Sequence, residues 1–281
     1  MGYYEFTITA PDESKEALLS KMSEMGCLGV SETRRRIRAY FKDTHDTIRL
    51  RDELESFRKV LKQAGLNAGF SFAYLHLSER DWNEPWKKRF VPMDVGEQFS
   101  ILPPWEKSDH SRIPLIIDPG MAFGTGHHET TRACLHLIEK FSVISPKDRF
   151  LDVGTGTGIL AIAASRLGFQ AVVGVDIDPL ATDAAKRNIA LNSLRNIEIQ
   201  EGTIAGVQGT FSMMAANLMS EVLINIAPEI TSRLHHTGLA ILSGMLKGQE
   251  EDVLHAMNRS GLSTTEVQAD GRWVSLVLVL R

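Results

Sequence analysis

Residues 150–179, FLDVGTGTGILAIAASRLGFQAVVGVDIDP, decide the fold of this chain. The mostly apolar residues 150–153 predict a short buried strand, and residues 159–167 predict an apolar-faced helix that a following glycine can end. A second buried strand over residues 171–175 ends at Asp176. The turn after the first strand contains three glycines, Gly154, Gly156 and Gly158. An acid about twenty residues beyond such a loop is typical of nucleoside binding at the carboxyl edge of a parallel sheet.

The spacing of the glycines favours one class of nucleoside cofactor. A dinucleotide-binding loop follows G-x-G-x-x-G, but Ile159 occupies the position of its third glycine. The loop instead follows G-x-G-x-G, preceded by Asp152, and resembles motif I of the class I methyltransferases, which bind S-adenosylmethionine. Asp176 is then expected to accept hydrogen bonds from the ribose hydroxyls. A tight glycine turn in an ordinary α/β protein remains the alternative at this point.

Composition places the chain among ordinary soluble proteins. Its 281 residues suit one large or two modest domains, and 43% are apolar and 23% charged. No apolar run approaches the ~18 residues that span a membrane, and the first residues lack the apolar core of a secretory signal. The two cysteines lack metal-ligand spacing and are expected to be reduced, as in the cytoplasm. The net charge of −4 disfavours direct nucleic-acid binding.

The chain is predicted to contain two domains joined by a connector. Residues 1–77 alternate between strand and helix patterns in the order β-α-β-β-α-β, which fits a small α+β ferredoxin-like domain. Residues 78–95, the connector, carry many charges and begin with a predicted helix. Trp82, Trp86 and Phe90 lie on one face of that helix, where packing against a domain is favoured over gripping a substrate. Residues 96–281 form the second domain.

A second glycine-rich loop, DPGMAFGTGHHETT, occupies residues 118–131. Four of its residues are glycine or proline, so it is irregular, and Thr130 or Thr131 is expected to open the helix that follows. A glycine-rich loop beside a helix start offers backbone N–H groups to a ligand. His127 and His128 have no third ligand at metal-binding spacing, so no metal site is predicted.

The rest of the chain alternates between strands and helices and ends in a hairpin. An apolar strand over residues 211–216 ends in Asn217, a polar side chain where parallel sheets bind ligands, although this asparagine could instead only cap the next turn. A helix is predicted over residues 223–234 and a strand over residues 239–242. A terminal strand pair follows at residues 264–268 and 273–280. The pattern resembles the doubly wound sheet of methyltransferases, which has an antiparallel seventh strand.

These motifs together resemble one methyltransferase family. The run over residues 118–131 is similar to the signature D-P-G-x-A-F-G-T-G-x-H-x-T-T of the ribosomal protein L-eleven (L11) methyltransferase family. Residues 216–218 and 243–246 and the late Trp273 follow in that family's order. The resemblance is strong over residues 70–281 and covers residues 1–69 only in layout. Thr155, where the family often has Cys, and Glu129, in place of a common Pro, are small departures.

The resemblance implies a protein methyltransferase that transfers methyl groups from S-adenosylmethionine to lysine side chains and the N-terminal amine of L11. It implies a seven-stranded, doubly wound Rossmann-like α/β domain and an N-terminal domain, residues 1–77, that holds the protein substrate. Asn217 is expected to face the reacting methyl group and to accept from the incoming amine, with no dedicated base. Cofactor-binding roles fall on six residues, which are Phe123, Thr131, Gly154, Gly156, Asp176 and Asn217.

Three other functions are compatible with parts of the sequence. A nicotinamide-dependent oxidoreductase is disfavoured by Ile159. A small-molecule methyltransferase would explain the second domain and leave the first without a role. A non-catalytic assembly factor is disfavoured because Gly154, Gly156, Asp176 and Asn217 are all present.

Overall fold

The structure is a computed structural model that describes residues 3–32, 36–77, 90–106, 111–118, 124 and 126–281. The chain divides into two compact units, Met1–Arg89 and Phe90–Arg281. The predicted connector helix with Trp82 and Trp86 lies outside the described residues, as does Phe123. Among the described residues, no helix combines the length and apolarity that crossing a bilayer requires.

The first unit is an antiparallel sheet with two helices. Its strands stand in the order β2-β3-β1-β4, and β1 pairs antiparallel with both β3 and β4. This topology confirms the predicted ferredoxin-like layout. Its elements are β1 (Tyr3–Thr9), α1 (Lys15–Glu24), β2 (Gly29–Glu32), β3 (Arg36–Lys42), α2 (Thr47–Gln63) and β4 (Ser71–Leu77).

The first unit has a hydrophobic core of its own. On β1 every second residue is buried, as at Phe6 and Ile8, because successive side chains of a strand point to opposite faces. Helix α2 buries Leu50 and Leu54 one turn apart, and its N-cap Asp46 accepts hydrogen bonds from two backbone N–H groups of the first turn. These side chains form one cluster that contains only residues of the first unit.

The second unit alternates strands and helices. A small sheet contains β5 (Met93–Val95), β6 (Phe99–Leu102) and β7 (Ile113–Ile116). The main part contains α3 (Glu129–Ser142), β8 (Arg149–Val153), α4 (Ile159–Arg166), β9 (Ala171–Asp176), α5 (Pro179–Leu191), β10 (Ile197–Glu201), β11 (Phe211–Asn217), α6 (Ser220–Asn225), α7 (Ala227–Arg233), β12 (Leu234–Leu246), α8 (Glu250–Arg259), β13 (Leu262–Asp270) and β14 (Trp273–Leu280).

The seven strands β8 to β14 form one sheet in the order β10-β9-β8-β11-β12-β14-β13. Strand β14 runs antiparallel to both of its neighbours, β12 and β13, which confirms the predicted antiparallel strand. Phe150 and Leu151 of β8 are both fully buried, and they belong to different core clusters. Both faces of the sheet are therefore covered, which explains the uninterrupted apolar runs in its strands.

The sheet changes its winding direction beside β8. The chain leaves β8 to form β9 on one side, and the later β11 pairs with β8 on the other side. The carboxyl ends of β8, β9 and β11 therefore border a crevice, where open α/β sheets bind their ligands.

The predicted helix over residues 223–234 is wrong. The segment forms two helices, α6 and α7, and Pro228 lies in the first turn of α7. Proline has no N–H group and its ring disfavours a continuous helix, so the chain breaks at Ile226. Leu234 already belongs to β12, which extends the strand predicted over residues 239–242 in both directions.

Gly244 is predicted to be indispensable for the packing of β12. Its φ is 92°, and a Cβ atom there would lie 2.4 Å from the backbone oxygen of Leu218. Gly248 has a similar φ of 93°, but a Cβ atom added there would meet no atom of the described residues within 4 Å. Alanine in this conformation costs about 1–2 kcal/mol, and overpacking adds about 1–3 kcal/mol at Gly244 only. Urea denaturation of Gly244→Ala and Gly248→Ala compares the two, and equal losses of stability would contradict the packing role.

Candidate functional site

A cavity of about 590 Å³ lies at the carboxyl ends of the central strands. This volume is within the roughly 300–1,000 Å³ of small-molecule sites. Its walls are mostly apolar, with a few polar side chains at defined positions. The residues that line it include Gly154, Gly156, Asp176, Thr203, Asn217 and Trp273.

The glycine loop after β8 forms one wall of this cavity. The N–H groups of Gly154 and Thr155 donate to the carbonyl oxygen of Val175 at 2.8 and 3.1 Å, which joins the loop to β9. Gly154 has a φ of 72°, and a Cβ atom there would lie 2.4 Å from Cδ2 of Leu218. The absence of that carbon lets the loop lie against Leu218 and exposes backbone to a ligand.

Asp176 lies at the end of β9 with its carboxylate held in place. Its Oδ2 accepts from the N–H of Gly156 at 2.9 Å, and its Oδ1 accepts from the N–H of Asp178 at 3.0 Å. A carboxylate oxygen has more than one acceptor site, so both oxygens can also accept from a ligand hydroxyl. The side chain lines the cavity, and the arrangement fits a ribose diol.

Asn217 lies at the end of β11 and lines the same cavity. Its Nδ2 donates to Oγ1 of Thr131 at 3.4 Å, and Thr131 is buried in the first turns of α3. Because the amide nitrogen faces Thr131, the amide oxygen is left to accept a hydrogen bond from a ligand. Thr131 thus reaches the site through Asn217, whereas its neighbour Thr130 lines the cavity directly.

Asn188 ties the loop after β7 to the glycine loop. This side chain of α5 is 1% exposed, accepts from the N–H of Asp118 at 2.9 Å and donates to the carbonyl oxygen of Thr157 at 2.8 Å. Oγ1 of Thr157 in turn donates to the carbonyl oxygen of Gly124 at 2.6 Å. Asn188 was not predicted as a site residue, although a buried asparagine on an otherwise apolar helix face is a usable signal.

His128, at the N-terminus of α3, was also missed. The helix begins at Glu129, not at Thr130 or Thr131 as predicted, because Nδ1 of His128 acts as the cap and accepts from the N–H of Thr130 at 3.4 Å. The same Nδ1 lies 2.8 Å from Oγ1 of Thr130, so this ring nitrogen is engaged at the start of the helix. Its ring lies 4.9 Å from that of Trp273 in an edge-to-face contact, and both rings line the cavity.

Asp152 lies beneath the glycine loop and is 1% exposed. Its Oδ2 accepts from Oγ1 of Thr155 at 2.7 Å and from the N–H of Ala161 at 3.1 Å. Burial raises the pKa of this carboxyl to about 7, against the opposing effect of those two hydrogen bonds. Within the described part of the chain, no group of three or more His, Cys, Asp or Glu is arranged to hold a metal ion.

Comparison with known proteins identifies close relatives over most of the chain. The family model described as "Ribosomal protein L11 methyltransferase (PrmA)" matches residues 2–281. The L11 methyltransferase of Pelobacter propionicus is 35% identical over 98% of this chain and 96% of its own length. That of Clostridium perfringens is 37% identical over 79% of this chain and 71% of its own length. The crystal structure of an L11 methylase from Lactobacillus delbrueckii subsp. bulgaricus has a TM-score of 0.64 at 32% identity, over 68% of this chain and 100% of that one.

The role of Asp176 can be tested by removing its carboxylate. Asp176→Ala is expected to weaken S-adenosylmethionine binding by about 1.5–3 kcal/mol, because charge-assisted hydrogen bonding to the ribose is lost. The dissociation constant should rise roughly 10- to 150-fold in titration calorimetry. Glu201→Ala is the matched control. Glu201 lies beside Asp176 in the register of strands β10 and β9, but its exposed carboxylate does not line the cavity. Unchanged affinity in a folded Asp176→Ala protein would exclude the ribose role.

Proposed function

The chain belongs to the ribosomal protein L11 methyltransferase family, and from this premise we propose that it methylates lysine side chains and the N-terminal amine of L11 in the cavity that Asn217 borders. It is an S-adenosylmethionine-dependent protein methyltransferase. The observation that best supports the proposed site is the orientation of Asn217, whose amide oxygen is left available by the bond from Nδ2 to Thr131.

The cavity suits the cofactor. S-adenosylmethionine supplies an electrophilic methyl group on a positively charged sulfur. The bare backbone at Gly154 and Gly156 can approach the amino-acid portion of the cofactor, and Asp176 can accept from the ribose hydroxyls. Thr131 is proposed to contribute by fixing the Asn217 amide. Phe123, the remaining residue expected at the cofactor, lies outside the described residues.

The attacking amine must be neutral when it meets the methyl group. A lysine in water has a pKa of ~10.4 and is almost fully protonated. Transfer into a mostly apolar cavity lowers that pKa, because burial disfavours the charged form. Asn217 can accept from the amine and hold its lone pair toward the methyl carbon. A carbon–nitrogen bond would form as the bond between the methyl group and sulfur breaks, and a neutral thioether would leave. Solvent takes the proton that the new ammonium loses, so a dedicated base is not required.

The first unit is proposed to hold L11. It has its own core, whereas the described residues assigned to cofactor and amine all belong to the second unit. Relative movement of two units joined by a connector is the default expectation, and it would let one cavity reach several amines of one substrate. We infer that the enzyme acts in the cytoplasm on the protein itself, without direct nucleic-acid binding.

Asn217→Ala is predicted to slow the chemical step more than it weakens cofactor binding. A contact that matters chiefly in the transition state lowers kcat, and a lost hydrogen bond to a charged group corresponds to roughly a 10- to 100-fold decrease. Single-turnover kinetics with purified L11 give the rate, and titration calorimetry gives the cofactor affinity.

Thr131→Val is the matched variant for Asn217. Valine keeps the shape of the buried threonine but removes the hydroxyl that orients the amide, so we expect a smaller loss of kcat with Asn217 still in place. Normal single-turnover rates combined with weak cofactor binding in Asn217→Ala would make this residue an adenosine contact instead.

The separate roles proposed for the two units, substrate holding and cofactor binding, are tested with a fragment that contains only the second unit. Residues 90–281 should fold and bind S-adenosylmethionine, since this unit has its own cores, but should have a much lower kcat/KM for L11. Circular dichroism and a cofactor titration establish first that the fragment is folded. A kcat/KM equal to that of the full chain would mean that the first unit does not hold the substrate, and would favour a small-molecule acceptor.

A further inference from the structure

Asp152 is a buried carboxyl group that the proposed chemistry does not use. Its Oδ2 is bound by Oγ1 of Thr155 and the N–H of Ala161. Its Oδ1 is buried and has no hydrogen-bond partner within the part of the chain that the structure describes. An unpaired buried oxygen is unfavourable, and an unpaired buried charge is more so. The burial of Oδ1 without a partner therefore makes this carboxyl hold a proton to higher pH than an exposed one does.

Two hydrogen bonds favour a negative charge on Asp152, but neither of the neighbouring ionisable side chains Asp176 and Cys134 does so. Asp176, on the neighbouring strand β9, has the same sign and raises the pKa of Asp152 further. Cys134, on α3, is fully buried, and burial together with the nearby Asp152 raises its pKa to about 12, so the thiol is neutral. The N–H of Ala161 in the first turn of α4 favours the carboxylate, as does the Thr155 hydroxyl. His128 is a further ionisable side chain on this side of the sheet, and it lines the cavity.

Asp152 lies directly behind the wall of the cavity. The next residues, Val153 and Gly154, line the cavity, as does Gly156. The carboxyl is held by the glycine loop itself, through Thr155. S-adenosylmethionine has a positively charged sulfur that its demethylated thioether product lacks. A charge of opposite sign nearby favours the ionised carboxyl, and it does so more strongly in a site that excludes water.

Given the methyltransferase function proposed above, we propose that Asp152 lets the site distinguish the sulfonium cofactor from its thioether product, ionising when the former binds and holding a proton when the latter is bound. On cofactor binding the proton leaves Oδ1 for solvent. After methyl transfer the positive charge on sulfur is gone, and Oδ1 takes a proton back from solvent. The product then loses an ionic attraction that held the cofactor, which favours exchange of product for cofactor.

The test is titration calorimetry of the full chain with S-adenosylmethionine and with S-adenosylhomocysteine. Because the bound cation lowers the pKa of Asp152 from about 7, cofactor binding should tighten as pH rises through that value and then level off. Between pH 6 and pH 8 the dissociation constant of the cofactor should fall about tenfold, while that of the product stays within about twofold. At pH 7, two buffers of different ionisation enthalpy should show release of about half a proton with the cofactor only.

Asp152→Asn is the matched variant, because it keeps the shape and cannot ionise. Its cofactor affinity should lose the pH dependence that is specific to the natural protein. Any slope common to both proteins belongs to another titratable group of the protein or of the cofactor. If this variant does not fold, Thr155→Val replaces it. Loss of the Thr155 hydroxyl should move the midpoint to higher pH, whereas Thr155→Ser should leave it in place.

Two outcomes would overturn the role of Asp152. One is an equal pH dependence for cofactor and product in the natural protein, and the other is an unchanged cofactor profile in Asp152→Asn. A folded full chain that does not bind S-adenosylmethionine at any pH would instead contradict the proposed function, and with it this inference.

Discussion

The close approach of the glycine loop to β9 and β11 is the constraint on which the site depends. The loop is hydrogen-bonded to Val175 on one side and lies against Leu218 on the other, and a Cβ atom on Gly154 would force the Leu218 side chain to shift. This contact brings together the ends of three strands. Asp176 and Asn217 can therefore act on one ligand, although they follow different strands of the chain.

The polar groups of the site differ in function because their surroundings differ. Asp176 is held by two backbone N–H groups at the cavity wall, which suits an acceptor of hydroxyl groups. Asp152, on the neighbouring strand β8, is almost fully buried, and its Oδ1 has no hydrogen-bond partner among the described residues. Burial favours the neutral acid at Asp152, whereas Asp176 lines the cavity, where a ligand can reach it. Two residues of the same type thus have different roles in the site.

Much of the second unit was predictable because its local patterns agree with its tertiary packing. Helix α4 and strand β9 begin and end within one residue of the predicted positions, since apolar runs and glycine stops indicate the same boundaries. The helix predicted over residues 223–234 failed where two local signals conflicted, namely an apolar helical pattern and Pro228. The start of α3 was misplaced because a histidine ring took the capping role usually expected of a hydroxyl or carboxylate.

The sequence by itself determined the class of fold, the glycine loop after β8 and the polar residues at the strand ends, because each depends on residue types at short spacing. Only the tertiary structure decided that His128 meets Trp273, that Asn188 joins two loops and that Thr131 orients Asn217. Such contacts join segments far apart in the chain, and their partners follow from how the sheet closes. The same holds for Asp152, whose pKa depends on what is packed around it, and no local pattern encodes that burial.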